Sequence, residues 1–288
     1  MKHQSPVTGH WSRICGVLAA LVLGASPAPA ADDNFKDGGP YVPTPHQVVD
    51  AMLDLAKVGP RDFVVDLGSG DGRIVITAAA RYKARGMGVD IDGELVSLAN
   101  ASARKQEVAD RVQFFQKDVF AADLGSATVL TLYLLPEMMD RLRPKLLKEL
   151  KPGTRIVSHD FSLGDWKPDR TIEVSTPEKY DVTGSFTSTL HLWVVPAAVD
   201  GAWADDRGVF RLELKQSFQR IEGAYIRGGR REKLTGDVAG DLIRFTVPGK
   251  RGRSERFTGT VNGGRITGEV RSADGELLAR WGAARPPY

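Results

Sequence analysis

Three carboxylates and three alternating glycines carry the most informative chemistry in this sequence. In "VVDLGSGDGRIVI", residues 64–76, a β-branched run leads into Asp66, and Gly68, Gly70 and Gly72 alternate with Ser69 and Asp71. An apolar helical pattern follows at once. A strand that turns sharply into a helix beneath glycines lets a ligand approach the backbone closely. Phosphate-binding loops of the G-x-x-x-x-G-K-[ST] type place a lysine after the glycines, and none stands here. The dinucleotide fingerprint G-x-G-x-x-G is replaced by G-x-G-x-G, with Asp66 and Asp71 beside the turn. Two anions there would repel a pyrophosphate, yet accept from an ammonium group or tolerate a sulfonium.

Two further acids sharpen the ligand. "GMGVDID" puts Asp90 at the end of a second strand, 22 residues after Gly68, where a carboxylate can accept from both ribose hydroxyls. Ile91 follows it. "FFQKDVF" supplies Asp118 after a third strand, to accept from an adenine amino group, with Val119 and Phe120 available to pack on the ring. Three acids at the ends of three successive strands, with Ser69 inside the turn, suit S-adenosylmethionine, an adenosine ligand with an amino-acid end.

Positioning those acids requires a doubly covered parallel sheet. Residues 63–67, 86–90, "RVQFFQ", "ATVLTLYL" and "TRIVSH" read as strands, with helices over 72–82, 93–106 and 136–150. Thr44 and Pro45 read as the N-cap and first residue of an earlier helix, whose stripe is Val48, Val49, Met52, Leu53 and Leu55. Strands alternating with such helices predict an α/β fold whose ligands bind along the C-terminal strand ends. "RTIEVST" and "STLHLWVVP" follow without a helix between them, which predicts an antiparallel end to the sheet near Pro196.

The rhythm then changes. Residues 200–288 hold 15 of the 31 glycines and short alternating runs separated by turn residues, with a recurring φ-[ET]-G element at Gly223, Gly236, Gly259 and Gly268. This predicts a small antiparallel all-β domain of six or seven strands, a meander or small barrel. Residues 31–199 carry net charge −4 and residues 200–288 carry +5, which supports the same division into two domains.

Residues 1–30 read as an export signal. Lys2 and Arg13 precede 12 apolar residues, Ile14–Ala25, and Ala28-Pro29-Ala30 offers a cleavage site before Ala31. Twelve residues are too few to cross a bilayer core of about 30 Å, so no permanent span is expected in a periplasmic mature chain. Cys15, the one cysteine, lies within the removed segment, leaving no thiol nucleophile. The five histidines show no metal-ligand spacing, and no metal is expected.

With Asp66, Gly68, Gly70 and Gly72 matching D-x-G-x-G-x-G, residues 41–196 resemble a class I S-adenosylmethionine-dependent methyltransferase. The resemblance places the family's ribose acid on Asp90 and its adenine-side acid on Asp118. "YVPTP", "LYLLPE" and "RPKLLKELKPGTRIVSHDF" are similar to a narrower branch, the ATP synthase c-subunit lysine methyltransferases and their bacterial relatives. That branch implies a protein lysine as acceptor.

The residues constrain the acceptor independently. Cytosine C5 methylation needs a cysteine nucleophile, which the mature chain lacks. The [DN]-P-P-[YFW] motif of adenine amino methylation is replaced by "LYLLPE", and no basic aromatic stripe suggests nucleic acid. Tyr133, Leu134, Leu135 and Pro136 offer an apolar lip with one hydroxyl, suited to a long side chain ending in an amine, while Tyr41 and Thr44 would close over the cofactor and line the channel. Glu137, His159 and Asp160 are further polar candidates, and no dedicated general base is assigned. A small-molecule N-, O- or S-acceptor, or a non-catalytic adenosine-binding protein, also fits these residues.

Overall fold

A computed structural model of the chain describes residues 41–180, 184–248 and 254–286. The expected signal segment, with Cys15 and the cleavage site, lies outside these residues. Helix α1 (His46–Leu55) leads into β1 (Phe63–Leu67), α2 (Arg73–Tyr82), β2 (Arg85–Asp90), α3 (Gly93–Lys105), β3 (Val112–Gln116), β4 (Val129–Leu132), α4 (Pro136–Glu149) and β5 (Arg155–His159). Strands β6 (Arg170–Ser175) and β7 (Thr187–Val194) complete a seven-stranded sheet of order β3-β2-β1-β4-β5-β7-β6. The first five strands are parallel, and β7 runs antiparallel to both β5 and β6.

Helices on both faces explain why β1 and β4 are apolar almost throughout rather than alternating. On one face Val48, Met52 and Leu53 of α1 and Ile74 of α2 pack with Val64, Val129 and Val157. On the other, Met139, Leu142 and Leu146 of α4 cover Leu67, Leu130, Leu132 and Ile156. Because β2 and β4 flank β1, the chain leaves β1 in one direction and later returns on its other side. The crevice outside the ends of β1, β2 and β4 is the topological switch point of the sheet.

The remaining strands form a closed antiparallel barrel: β8 (Gly201–Asp205), β9 (Phe210–Ser217), β10 (Arg220–Arg227), β11 (Arg230–Ala239), β12 (Leu242–Pro248), β13 (Ser254–Asn262), β14 (Arg265–Arg271) and β15 (Leu277–Ala284). Eight strands replace the six or seven expected. The two that pattern reading missed are "GAWAD" and "LLARWGAA", where glycine and alanine hide the alternation and Leu277 and Leu278 are exposed. Phe210, Tyr225, Phe245, Phe257 and Trp281 fill the interior, with Phe245 stacked on Phe257 at 4.8 Å between centroids. The repeated glycines occupy points where neighbouring strands close in. A Cβ would lie 1.9 Å from the Glu213 carbonyl oxygen at Gly223, 2.0 Å from that of Arg244 at Gly236 and 1.9 Å from that of Thr258 at Gly268. Closure of so small a barrel therefore needs glycine there for space.

Barrel and sheet belong to one compact unit. Phe218, in the β9–β10 turn with φ +53°, stacks on Trp166 at 5.7 Å and 6°. Gln219 donates to the Lys167 carbonyl at 2.7 Å, and the Ala197 amide to the Gly240 carbonyl at 2.7 Å.

Candidate active site

The site begins at the glycine loop after β1. Gly68, Gly70 and Gly72 have φ of +77°, +52° and +81°, in the left-handed region that favours glycine. Space matters as well: a Cβ at Gly68 would meet Leu134, at Gly70 the Tyr41 ring, and at Gly72 the Phe114 ring and Ala99. The Gly68 and Ser69 amides both donate to the Val89 carbonyl at 2.9 Å, and the Gly70 amide donates to Asp90 Oδ2 at 2.7 Å. The loop is thus tied to the end of β2. Asp90 Oδ1 accepts from the Asp92 amide at 3.0 Å, so both carboxylate oxygens are held in place while keeping further acceptor capacity.

Asp66 is buried below the loop, where Thr131 Oγ1 donates to it at 2.7 Å. Burial pushes its carboxyl up to about 7, opposed by the Thr131 hydrogen bond and assisted by the charges of Asp90 and Asp71. Asp71 behaves otherwise. Arg73 holds it in a two-pronged pair, Nε to Oδ1 at 2.9 Å and Nη2 to Oδ2 at 2.7 Å. Burial would raise the Asp71 carboxyl, but this guanidinium carries it below its ordinary value. Asp71 is therefore a neutralised partner rather than the second free anion that the loop sequence suggested.

Asp118, Val119 and Ile91 complete this edge. The Lys117 amide donates to the Asp90 carbonyl at 2.8 Å, placing the turn after β3 against the end of β2. Asp118 is exposed, and its Oδ1 accepts from the Phe120 amide at 2.8 Å. Val119 is buried, Ile91 is 45% exposed, and its carbonyl accepts from Gln116. The Arg141 guanidinium lies over the Phe120 ring at 4.4 Å.

These residues fit S-adenosylmethionine. The loop glycines carry no side chains of their own, acceptor carboxylates stand at Asp90 and Asp118, and Ser69 Oγ is buried without a hydrogen-bond partner. Gly68, Ser69, Gly70 and Asp90 are brought together by the contacts above, with Asp66 at the end of β1, Gly72 at the cap of α2, and Ile91, Asp118 and Val119 on the adjoining edge.

A cavity of about 470 Å³ opens on the other side of Arg73. Its wall includes Val42, Pro43 and His46 from the segment around α1, together with Arg73, Tyr133, His159 and Lys179. Arg73 connects the two regions, because Nη1 donates to the Thr44 carbonyl at 2.8 Å. Tyr41 sits over Gly70, and burial followed by the Asp71 charge raises its phenol. Thr44 is buried, and the cap of α1 falls on Pro45 rather than on Thr44, whose hydroxyl instead meets His159 Nδ1 at 3.4 Å. Tyr133 lines the cavity, whereas Leu135 and Pro136 open α4 beyond the wall and Leu134 packs under Gly68.

Beneath the cavity lies a polar cluster. His159 is buried, with Nε2 bonded to the Ser188 hydroxyl at 2.8 Å, and burial drives its imidazole down to about 4. The Tyr133 ring packs on it at 4.0 Å. Asp160, at φ +63°, accepts from Lys179 Nζ and from the Thr189 amide at 3.0 Å. Burial first, then the nearby Asp160 carboxylate, pushes the Tyr133 phenol up to about 12. Sequence reading missed Arg73, His46 and Lys179. Lys179 joins the site only because β6 and β7 fold back beside β5, and no local motif marks it. Among the described residues no cluster of His, Cys, Asp and Glu is arranged to hold a metal ion.

Comparison with known proteins agrees with this geometry. Residues 66–170 match the ANTKMT methyltransferase domain. The chain is 43% identical to a protein-lysine N-methyltransferase of Saccharolobus islandicus, over 54% of this chain and 93% of that protein. It is 30% identical to an ATP synthase c-subunit lysine N-methyltransferase of Xenopus laevis, over 70% and 79% respectively. A crystal structure described as an RNA methyltransferase from Salinibacter ruber, in complex with S-adenosyl-L-homocysteine, is 49% identical with a TM-score of 0.50. That similarity covers 55% of this chain and 96% of that one.

Proposed function

The chain belongs to the ANTKMT family of S-adenosylmethionine-dependent methyltransferases, and from that premise we propose that its acceptor is the side-chain amine of a protein lysine. The observation that carries this reading is the charge balance of the cavity. Arg73 is paired with Asp71, Lys179 with Asp160, and His159 is held neutral, so no anion is left unpaired among these groups to stabilise an ammonium ion. Desolvation among Val42, Pro43 and the Tyr133 ring lowers the pKa of an entering lysine from about 10.4 and favours the neutral amine.

When bound, S-adenosylmethionine supplies an electrophilic methyl group on a sulfonium. The chain's own part is to hold and orient. The glycine loop and Asp90 hold one reactant, the cavity holds the other, and Arg73 links the two through the Thr44 carbonyl. Positioning of this kind supplies much of the rate in a displacement reaction. No residue is needed to remove a proton in the transfer step if the amine enters neutral.

The name of the Salinibacter ruber protein favours RNA as the competing acceptor. Incubating residues 31–288 with methyl-tritiated S-adenosylmethionine and a whole-cell extract separates the two. Label in protein, recovered as methyllysine after acid hydrolysis, is the expected result. Label confined to RNA, or to small soluble products, overturns the reading. We also place the enzyme outside the cytoplasm on the sequence of residues 1–30, and a secreted chain beginning at Ala31 is the expected result of N-terminal sequencing.

A further inference from the structure

We propose that the stacked rings of Tyr180 and Phe186 form a ledge beside the acceptor cavity that takes an apolar side chain next to the target lysine, and so select which lysines enter. The inference rests on the lysine reading above. The two rings lie 4.2 Å apart between centroids at 12°, yet Tyr180 is 48% and Phe186 58% exposed. Among the described residues they are the one pair of exposed aromatic side chains stacked on each other. Exposed apolar side chains scattered singly need no explanation, but paired aromatics form a patch of the kind enriched where proteins meet.

Their place in the chain ties them to the cavity. Lys179 lines the cavity wall, and its Nζ donates to Asp160 Oδ2 at 2.5 Å and to the Thr187 carbonyl at 3.2 Å. Tyr180 follows Lys179 and Phe186 precedes Thr187, so one ring stands beside each end of that second bond. The Thr176 amide donates to the Phe186 carbonyl at 2.7 Å, and the Gly184 amide to the Tyr180 carbonyl at 2.8 Å. Gln47, another wall residue, donates to the Ser175 carbonyl at 2.9 Å and ties the end of β6 to the same wall. Both backbones are thus held while the rings face water.

The shape of an entering lysine decides what meets them. With its amine inside the cavity, its backbone stays at the mouth, and the next residues along the acceptor follow at about 3.8 Å between Cα atoms. Their side chains must then lie on the rim. Two neutral rings offer a charged flank no opposite charge, but they leave water when Phe, Leu, Ile or Met covers them. The occupant is therefore an apolar residue of the acceptor polypeptide. Tyr180 and Phe186 touch that flank and not the reacting atoms, so they act on half-saturation rather than on maximal rate.

The probe is a whole-cell protein extract, incubated with S-adenosylmethionine and wild type, Tyr180→Ser/Phe186→Ser or Tyr180→Leu/Phe186→Leu. Methyllysine positions are mapped by mass spectrometry after proteolysis. In wild type, apolar residues within two positions of methyllysine should be enriched about threefold over the unmethylated lysines of the same digest. The serine variant should lose that enrichment and need about fivefold more extract for half-maximal incorporation, with its maximal rate little changed. The leucine variant keeps an apolar surface and should keep the enrichment. Unchanged S-adenosylmethionine affinity by calorimetry shows that both variants are folded. Methyllysine without apolar enrichment in wild type, or enrichment unmoved in the serine variant, overturns the proposal. So does a fall in maximal rate at unchanged half-saturation. Flotation of wild type, but not of the serine variant, with vesicles of phosphatidylethanolamine and phosphatidylglycerol would assign the rings to a lipid surface and also overturn it. Absence of methyllysine from the wild-type reaction would instead overturn the lysine reading, a result distinguishable from loss of flank selection.

Discussion

The Gly70 amide and the Asp90 carboxylate meet at 2.7 Å, a side-chain bond that, with the two amides on the Val89 carbonyl, joins the glycine loop after β1 to the end of β2. Asp90 thereby shapes the loop as well as offering acceptors to a ligand. Replacing it with alanine removes both. Hydrogen bonds to a charged group are worth about 1.5–3 kcal/mol, so Asp90→Ala should weaken S-adenosylmethionine binding about 10- to 150-fold. Calorimetric titration checks this, with unchanged far-UV circular dichroism as the control for folding.

Two buried groups make stability depend on pH in opposite senses. The Asp66 carboxyl is raised from 3.8 to about 7, so the folded state holds its proton more tightly, and stability falls as pH rises across that window. His159 is lowered from 6.5 to about 4, so the unfolded state binds its proton first, and stability falls as pH drops from about 6.5 to 4. Between about pH 4 and 6.5 the two offset one another. Asp66→Asn keeps the Thr131 bond and should expose the His159 effect as a steep loss on acidification. Urea denaturation at half-unit pH intervals measures both slopes.

Gly268 leaves no room for a side chain, since its Cβ would fall 1.9 Å from the Thr258 carbonyl oxygen. Backbone, unlike a flexible side chain, yields little. Gly268→Ala should cost about 2–3 kcal/mol through overpacking and lower the urea midpoint accordingly. Gly263→Ala adds no such contact but takes alanine to φ +56° in the β13–β14 turn, and should cost only about 1 kcal/mol.

The stack of Phe218 on Trp166 couples the barrel to the sheet. Phe218→Ala removes that pairing and should lower stability by about 1 kcal/mol beyond the lost burial. The near-ultraviolet signal of Trp166 should change, and protease cleavage between residues 195 and 200 should become faster than in wild type.

How much of this was legible beforehand differs by element. Asp66, the three loop glycines, Asp90 and Asp118 follow from strand-to-turn spacing, because a parallel sheet places each such turn on one edge whatever the loops contain. The change to short alternating runs after residue 199 likewise announces an all-β part. The number of barrel strands does not follow, because "GAWAD" and "LLARWGAA" lack a side-chain alternation to read.

The sequence alone therefore determined the fold class, the cofactor and the sheet edge on which Asp66, Asp90 and Asp118 stand, all properties of local pattern and chain order. Tertiary structure decided how the charges are spent. Asp71 looks like a free anion until Arg73 closes on it, and Thr44 looks like a helix cap until His159 draws its hydroxyl inward. Lys179 carries no motif, yet reaches the wall that Tyr133 lines because β7 runs antiparallel beside β5. Such pairings depend on side chains far apart in the chain meeting away from water, where an unpaired charge is too costly to leave. No spacing rule encodes them.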